Sequence, residues 1–228
     1  FYVSSNANNN KNFEILKFNF EQINDFDSWE NVVEHDDCIL IEDFICFPEY
    51  LYLETRQDGL PKILKIHRET LQRSFIDFDD PAFSCNLSEN NDYWAKDFYY
   101  TYSSPKKPNS IFKEEVETGK SKLEWQQEIN NYSEESYKVE RLKITARDST
   151  SVPISLVYKK GINLSQSPIL IYGYGSYGII IDATFRTSIL PLLNRGFIFA
   201  IANIRGGSEM GRQWYEDGKI LNKKNTFN

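Results

Sequence analysis

The sequence predicts a partial β-propeller followed by the beginning of an α/β domain, and two observations predict this order. A pair of strands recurs every 48 residues in the first half of the 228-residue chain. The second half instead alternates apolar strands with glycine-rich turns and one helix. The composition agrees, because 40% of the residues are hydrophobic and 15% are aromatic, which suits a packed core rich in strands.

The repeat of the first half is visible in two registers. Its markers are Ile15, Ile63 and Ile111, each opening the pattern Ile-apolar-Lys, and Tyr2, Tyr50 and Phe98, each opening an aromatic-rich strand. A polar turn separates the two strands of each unit, and the Asp58-Gly59 pair favours a tight hairpin in the middle unit. A period of about 40–50 residues with several short strands is typical of propeller blades. Three such units cannot close a ring, so the propeller must be partial.

A polar segment, QQEINNYSEESY at 126–137, ends the repeat, and we place the domain boundary within it, dividing the chain into 1–130 and 131–228. The second unit begins with two alternating strands, YKVERLKITARD and VPISLVYKK. The run ILIY that follows is continuously apolar, like a strand covered on both faces. A helix is predicted over 187–196 with Gly196 as its C-cap, and then a buried strand, FIFAIANI. In such sheets, binding sites lie at the carboxyl ends of the strands, where both glycine-rich loops fall.

Charge and composition disfavour several classes of function. The net charge of −7 disfavours a nucleic-acid partner. The longest apolar run, at 197–204, is too short to span a membrane, and no basic-then-apolar leader is present. The three cysteines show no metal-binding spacing and are predicted to be buried free thiols in a reducing compartment. Because the chain begins at Phe1 and its only methionine is Met210, we expect an internal piece of a longer protein.

Nucleotide-binding motifs are weakly supported. No Gly-x4-Gly-Lys-Ser/Thr segment occurs. Gly173, Gly175 and Gly178 match the spacing of a dinucleotide fingerprint, but tyrosines fill the gaps and the following IIID segment is predicted to be extended. A dinucleotide site needs a helix there, so the match is disfavoured.

Residues for nucleophilic catalysis are incomplete in this chain. Neither Ser176 nor Ser208 lies in a Gly-x-Ser-x-Gly segment, which would hold a serine on a strained strand-to-helix turn. The only histidines, His35 and His67, lie in the repeat region. In the second glycine-rich loop, Arg205 and Glu209 are predicted to pair with each other or across the domain interface.

Three long segments nevertheless resemble the prolyl oligopeptidase family of serine peptidases, and most closely its oligopeptidase B (protease II) branch. They are YKVERLKITARDSTSVPISLVYKK, PILIYGYGSYG and FIFAIANIRGGSEMGRQWYEDGKILNKKNTF. The resemblance covers most of residues 90–228 and is fainter before them. It implies that 1–130 are the C-terminal blades of a seven-bladed β-propeller. Residues 131–228 would then be the N-terminal part of an α/β-hydrolase domain, truncated before the nucleophile.

The resemblance also implies roles for two tyrosines. Tyr174 matches the tyrosine that donates its hydroxyl to the oxyanion of the tetrahedral intermediate, and Tyr177 matches an aromatic residue of the first substrate pocket, although packing explains Tyr177 equally well. The nucleophilic serine, the aspartate and the histidine of the family all lie beyond Asn228, so the chain alone is expected to be inactive.

The function that the resemblance implies is cleavage of short peptides after basic residues, through an acyl-enzyme, in the cytoplasm. No metal or organic cofactor is implied, the partners are short peptides rather than nucleic acid or membrane, and the oligomeric state stays open. Three alternatives remain: a prolyl-specific enzyme of the same family, a non-catalytic propeller that binds a partner, and an esterase of the α/β-hydrolase type.

Overall fold

The computed structural model describes residues 1–228, which form four β-sheets and a few short helices. The strands are β1 Tyr2–Ser5, β2 Glu14–Lys17, β3 Glu30–Val33, β4 Ile39–Cys46, β5 Tyr50–Gln57, β6 Leu60–His67, β7 Arg73–Phe75, β8 Ser84–Leu87, β9 Asp97–Ser103, β10 Ser110–Glu115, β11 Ser121–Gln126, β12 Tyr137–Thr145, β13 Ser151–Lys159, β14 Ile169–Tyr172 and β15 Ile198–Ala202. The α-helices are α1 Leu190–Leu193 and α2 Arg212–Glu216, and a longer 3-10 helix spans Ile220–Thr226.

The first three sheets are antiparallel meanders, ordered β1-β2-β3, β4-β5-β6-β7 and β8-β9-β10-β11. The three Ile-apolar-Lys segments lie in β2, β6 and β10, one in each of the three sheets, so each unit of the sequence repeat corresponds to one sheet. Asp58 and Gly59, at φ 54° and 75°, form the two-residue turn between β5 and β6. Both residues of a type I′ turn need positive φ, which explains why Asp-Gly stands there.

Apolar side chains fill the spaces between neighbouring sheets of this first part. Between the first and second sheets lie Ile15, Val33, Ile41, Leu51, Leu53, Leu64 and Ile66. A second cluster joins the second and third sheets and is strongly aromatic: Phe47, Tyr52, Ile63, Phe83, Cys85, Phe98, Tyr100, Tyr102 and Val116. The Tyr52 and Phe98 rings stack there with centroids 4.0 Å apart. Neighbouring sheets therefore pack face to face, as blades of a propeller do.

The fourth sheet has the order β12-β13-β15-β14, with β14 parallel to β15 and the other pairs antiparallel. The chain crosses from β14 to β15 through a 3-10 turn, Thr187–Ile189, and α1. The predicted helix at 187–196 is therefore real but short, and Gly196 at φ 86° follows its end. Leu193 of α1 is fully buried in a cluster with Val157 and Phe199, which anchors the helix on the sheet.

Within residues 1–228 the ILIY strand is not covered on both faces. Ile169 is 54% and Ile171 is 64% exposed in β14. Full burial of a parallel strand needs layers on both of its faces. In residues 1–228 β14 is also the last strand of its sheet, with β15 on one side only, so its burial on both faces stays a prediction.

The cysteines also differ in part from the prediction. All three are free thiols, but only Cys85 is buried, whereas Cys46 is half-buried and Cys38 is exposed. Cys38 lies in the polar turn between β3 and β4, where the chain passes over the surface.

Polar contacts join the first half of the chain to the fourth sheet. Arg141 of β12 donates from Nη2 to the carbonyl oxygen of Asp58, at 2.6 Å, and Lys143 Nζ lies 2.8 Å from the Asp58 carboxylate. Farther along, the amide N–H of Arg212, at the start of α2, donates to Asn12 Oδ1 at 2.8 Å. The hairpin turns of the first part therefore rest directly on the second part. No helix in the structure is long and apolar enough to cross a membrane.

Candidate active site

Two glycine-rich loops meet at one edge of the fourth sheet. The Gly-Tyr-Gly loop (173–178) follows β14, and the Arg-Gly-Gly loop (203–211) follows β15. Because β14 and β15 are adjacent and parallel, both loops leave the sheet at its carboxyl edge. The amide N–H of Gly178 donates to the carbonyl oxygen of Gly206 at 3.0 Å. The prediction that the two loops share this edge is therefore confirmed.

The glycines allow the two loops to touch. Gly206 has φ 100°, and a Cβ there would lie 2.1 Å from the carbonyl oxygen of Gly175. Gly175 has φ 60°, and its own Cβ would lie 2.8 Å from the carbonyl oxygen of Arg205. Only residues without a side chain permit both the positive φ and this backbone separation. The sequence pattern thus reflects a close approach of two backbones.

Tyr174 and Tyr177 both lie in the Gly-Tyr-Gly loop, near the surface. The Tyr174 side chain is 41% exposed, and that of Tyr177 is 81% exposed. Tyr177 also has φ 59°, in the left-handed region that glycine favours. Holding a bulky residue there costs about 1–2 kcal/mol, and such positions are enriched at functional sites. Residues 179–186 are irregular and no helix begins at Gly178, which does not fit a dinucleotide-binding turn.

Arg205 pairs with Asp148, in the turn between β12 and β13, and not with Glu209. Its Nη1 contacts the Asp148 carboxylate and lies 3.2 Å from the Thr150 hydroxyl. The hydrogen bond from Arg205 lowers the pKa of Asp148 to about 2. This pair fastens the Arg-Gly-Gly loop to the first hairpin of the fourth sheet.

Glu209 has a different role in the same loop. Its side chain is buried, with 1% of the residue exposed, and Oε1 accepts a hydrogen bond from the amide of Ile181 at 3.1 Å. Burial raises the pKa of Glu209 to about 7. A Cβ at Gly207 would lie 2.0 Å from Glu209 Oε2, so the carboxyl group packs against the loop that carries it. Glu209 therefore supports the irregular segment that follows the tyrosines.

A buried ion pair, which the sequence did not predict, joins this segment to the first part of the chain. Arg56 of β5 contacts both oxygens of Asp182, at 2.7 and 3.2 Å, and its Nε contacts Glu42 at 3.2 Å. The Arg56 side chain is only 2% exposed. Burial raises the pKa of Glu42, and Arg56 opposes that shift. One guanidinium thus bridges two carboxylates at the contact between the two parts of the chain.

Clefts elsewhere in the molecule lie away from these loops. One of ≈ 490 Å³ between the second and third sheets is lined by Lys65, His67 and Glu114, among others. Lys65 Nζ is held by Glu114 at 3.1 Å and by the carbonyl oxygen of Val116 at 2.6 Å, so its charge is balanced locally. His35 lines a different cleft, between the first and second sheets. No group of three or more His, Cys, Asp or Glu side chains is arranged to hold a metal ion.

Comparison with known proteins identifies the family. Residues 1–127 match the family model described as "Prolyl oligopeptidase, N-terminal beta-propeller domain", and residues 183–228 match the "Prolyl oligopeptidase family" model. These two matches cover the sheets of the repeat and the part of the chain that contains the Arg-Gly-Gly loop.

Individual relatives are similar along nearly the whole chain. Dipeptidyl aminopeptidase BI of Pseudoxanthomonas mexicana is 34% identical over 99% of the chain, and Protease 2 of Moraxella lacunata is 35% identical over 95%. Oligopeptidase B from Leishmania major superposes with a TM-score of 0.90, at 33% identity over 99% of the chain.

The chain is much shorter than these proteins, covering 31% of each of the two relatives and 33% of the solved structure. The names of all three denote peptidases. Because the propeller-domain model matches more than half of the chain and the fold agrees along its length, the chain belongs to the prolyl oligopeptidase family.

Proposed function

We propose that the chain is part of a serine oligopeptidase that cleaves short peptides after basic residues. In this proposal residues 1–130 are the last blades of the propeller, and residues 131–228 begin the hydrolase domain. The nucleophile, aspartate and histidine lie beyond Asn228. The serine attacks the scissile carbonyl, an acyl-enzyme forms, and water releases the second product. The chain by itself is then inactive.

The observation that carries the proposal is the contact between the two glycine-rich loops at the carboxyl edge of β14 and β15. In α/β folds this edge is where substrates bind. Tyr174 lies in this contact region, on a loop whose backbone is held by Gly206. A hydroxyl group fixed there stabilises negative charge that develops on the substrate oxygen, because it is positioned before the reaction starts. Tyr177, exposed beside it, is proposed to contact the substrate side chain.

The preference for basic residues is proposed from the branch of the family that the chain resembles most. Two of its relatives along nearly the whole chain, Protease 2 and oligopeptidase B, belong to that branch by name. The acidic net charge of −7 suits a cationic substrate. A cytoplasmic location is proposed from the family resemblance and from the three free thiols, which suit a reducing compartment.

The first experiment is to determine the coding sequence beyond Asn228 and to express the complete protein. The proposal expects a Gly-x-Ser-x-Gly segment, then an aspartate and a histidine. A stop codon directly after Asn228 would leave no nucleophile, and it would favour the alternative in which the propeller only binds a partner. With the triad present, peptide amides ending in Arg and in Pro separate the basic-specific enzyme from a prolyl-specific one.

A second experiment tests the role of Tyr174 in the complete protein. We expect Tyr174→Phe to lower kcat by about 10- to 1000-fold while the fold is retained, because only the hydroxyl is removed. Circular dichroism of the variant controls for folding. An unchanged kcat would remove Tyr174 from the mechanism. Turnover of simple esters without dependence on peptide length would instead favour an esterase.

A further inference from the structure

Lys223, near the end of the chain, is fastened to the Gly-Tyr-Gly loop. It lies on the 3-10 helix Ile220–Thr226 and is half-buried. Its Nζ donates to the hydroxyl oxygen of Ser176 at 2.7 Å and also to the carbonyl oxygen of Gly175. Both acceptors directly follow Tyr174 in the sequence. One ammonium group therefore restrains the two residues that come after the proposed oxyanion donor.

A second residue of the same helix strengthens this connection. Thr226 is buried, and its hydroxyl donates to the carbonyl oxygen of Arg205 at 2.8 Å. A Cβ at Gly175 would lie 2.7 Å from Thr226 Cγ2, so the Thr226 methyl group closes off the space beside that glycine. The helix thus contacts both glycine-rich loops, with Lys223 on one and Thr226 on the other.

The Gly-Tyr-Gly loop needs such a restraint. Gly175 has φ 60° and no side chain, and glycine has more backbone freedom than any other residue. Gly206 packs against this glycine from one side, but rotation of the Gly175 carbonyl group would still change the direction in which the Tyr174 side chain points. Small displacements of a catalytic group lower the reaction rate strongly, since a shift of about 1 Å can lower it by about 100-fold. A hydrogen bond from a charged donor to the Gly175 carbonyl opposes that rotation directly.

We propose that Lys223 is a positioning residue, which holds the peptide bond between Gly175 and Ser176 in place so that the Tyr174 hydroxyl stays directed at the substrate. This inference rests on the role proposed above for Tyr174. In this inference Lys223 is the ammonium ion and donates to both oxygen atoms. A general-base role toward Ser176 would need the neutral amine, and the Ser176→Ala variant below tests it.

The experiment uses the complete protein and a short peptide amide ending in Arg. We expect Lys223→Met to lower kcat by about 10-fold with KM changed by less than about 2-fold. The reason is that the Tyr174 hydroxyl, which acts in the transition state, is no longer held in position. Lys223→Arg, which keeps a charged donor, restores part of the rate. Lys224→Met is the matched control, since Lys224 is an exposed lysine on the same helix, and this variant is expected to keep the wild-type kcat.

The double variant Tyr174→Phe/Lys223→Met tests whether Lys223 acts through Tyr174. If it does, the double variant is no slower than Tyr174→Phe alone, within about 2-fold. Multiplied effects would overturn the inference, as would an unchanged kcat in Lys223→Met. If Tyr174→Phe itself keeps full activity, the proposed function of Tyr174 fails. If Tyr174→Phe is slow and Lys223→Met is not, only the positioning role fails.

Hydrogen exchange gives a readout that does not depend on activity. We expect the amides of 174–178 to exchange faster in Lys223→Met than in Lys224→Met, because the loop loses its restraint. Equal exchange in the two variants would contradict the inference. If Lys223→Met does not fold, Lys223→Gln, which keeps one N–H donor pair without the charge, takes its place in both measurements. Loss of all activity in Ser176→Ala, in contrast, would indicate a nucleophilic serine and overturn the positioning role.

Discussion

Burial of Glu209 makes the stability of the protein depend on pH, and Glu209→Gln isolates that dependence. The carboxyl group accepts a hydrogen bond from Ile181 and is 1% exposed. Burial raises its pKa from 4.5 to about 7. Between these two pH values the folded state keeps the proton on Glu209, whereas the unfolded state releases it. The contribution of Glu209 to the free energy of unfolding is therefore fully present below pH 4.5 and is lost as the pH rises through about 7.

The size of the effect follows from the shift. Each pKa unit corresponds to about 1.4 kcal/mol, so the shift of Glu209 represents on the order of 3 kcal/mol of lost stability once the pH exceeds 7. Glutamine has the shape of the protonated acid and keeps an oxygen for the Ile181 amide, but it does not ionise. The free energy of unfolding of Glu209→Gln, taken relative to that of the wild type at the same pH, should therefore rise by about 2–3 kcal/mol from pH 5 to pH 8.

The assay is urea unfolding of the complete protein at several pH values, with wild type and variant compared at each pH. Other buried carboxyls such as Glu42 and Glu54 also have raised pKa values, but they are common to both proteins and cancel in the difference. Glu216→Gln is the control, because hydrogen bonds from Lys219 and Arg212 lower the pKa of Glu216. The free energy of unfolding of this variant, relative to that of the wild type, should therefore change with pH in the opposite direction. A difference between wild type and Glu209→Gln that stays constant within about 0.5 kcal/mol would refute the reasoning.

Two further predictions concern the contact between the two parts of the chain and the exposed tyrosine. Arg56→Met should lower the free energy of unfolding by about 3 kcal/mol, since it leaves the largely buried carboxylates of Asp182 and Glu42 without a cation. Adding Asp182→Asn should recover part of that loss in the same urea assay. Tyr177→Gly should be more stable than Tyr177→Ala by about 1 kcal/mol, because both remove the ring but only glycine accepts φ 59° without strain; equal stabilities would mean that the backbone relaxes in the alanine variant.

Much of the local structure could be predicted from the sequence. The 48-residue repeat located the central strands of three sheets, and the Asp58-Gly59 pair located a hairpin turn. The glycine patterns marked the two loops at the carboxyl edge of the fourth sheet. These features depend on side-chain periodicity and on the φ angles that a few residues permit, and both are properties of neighbouring residues in the chain.

The partners of charged side chains depended on the tertiary structure. Arg56 pairs with Asp182, 126 residues away, and Lys223 reaches Ser176 across 47 residues. Arg205 pairs with Asp148 and not with the nearby Glu209, because the turn after β12 places the Asp148 carboxylate next to the Arg205 guanidinium. No local pattern specifies such pairs, since they form only when separate elements dock.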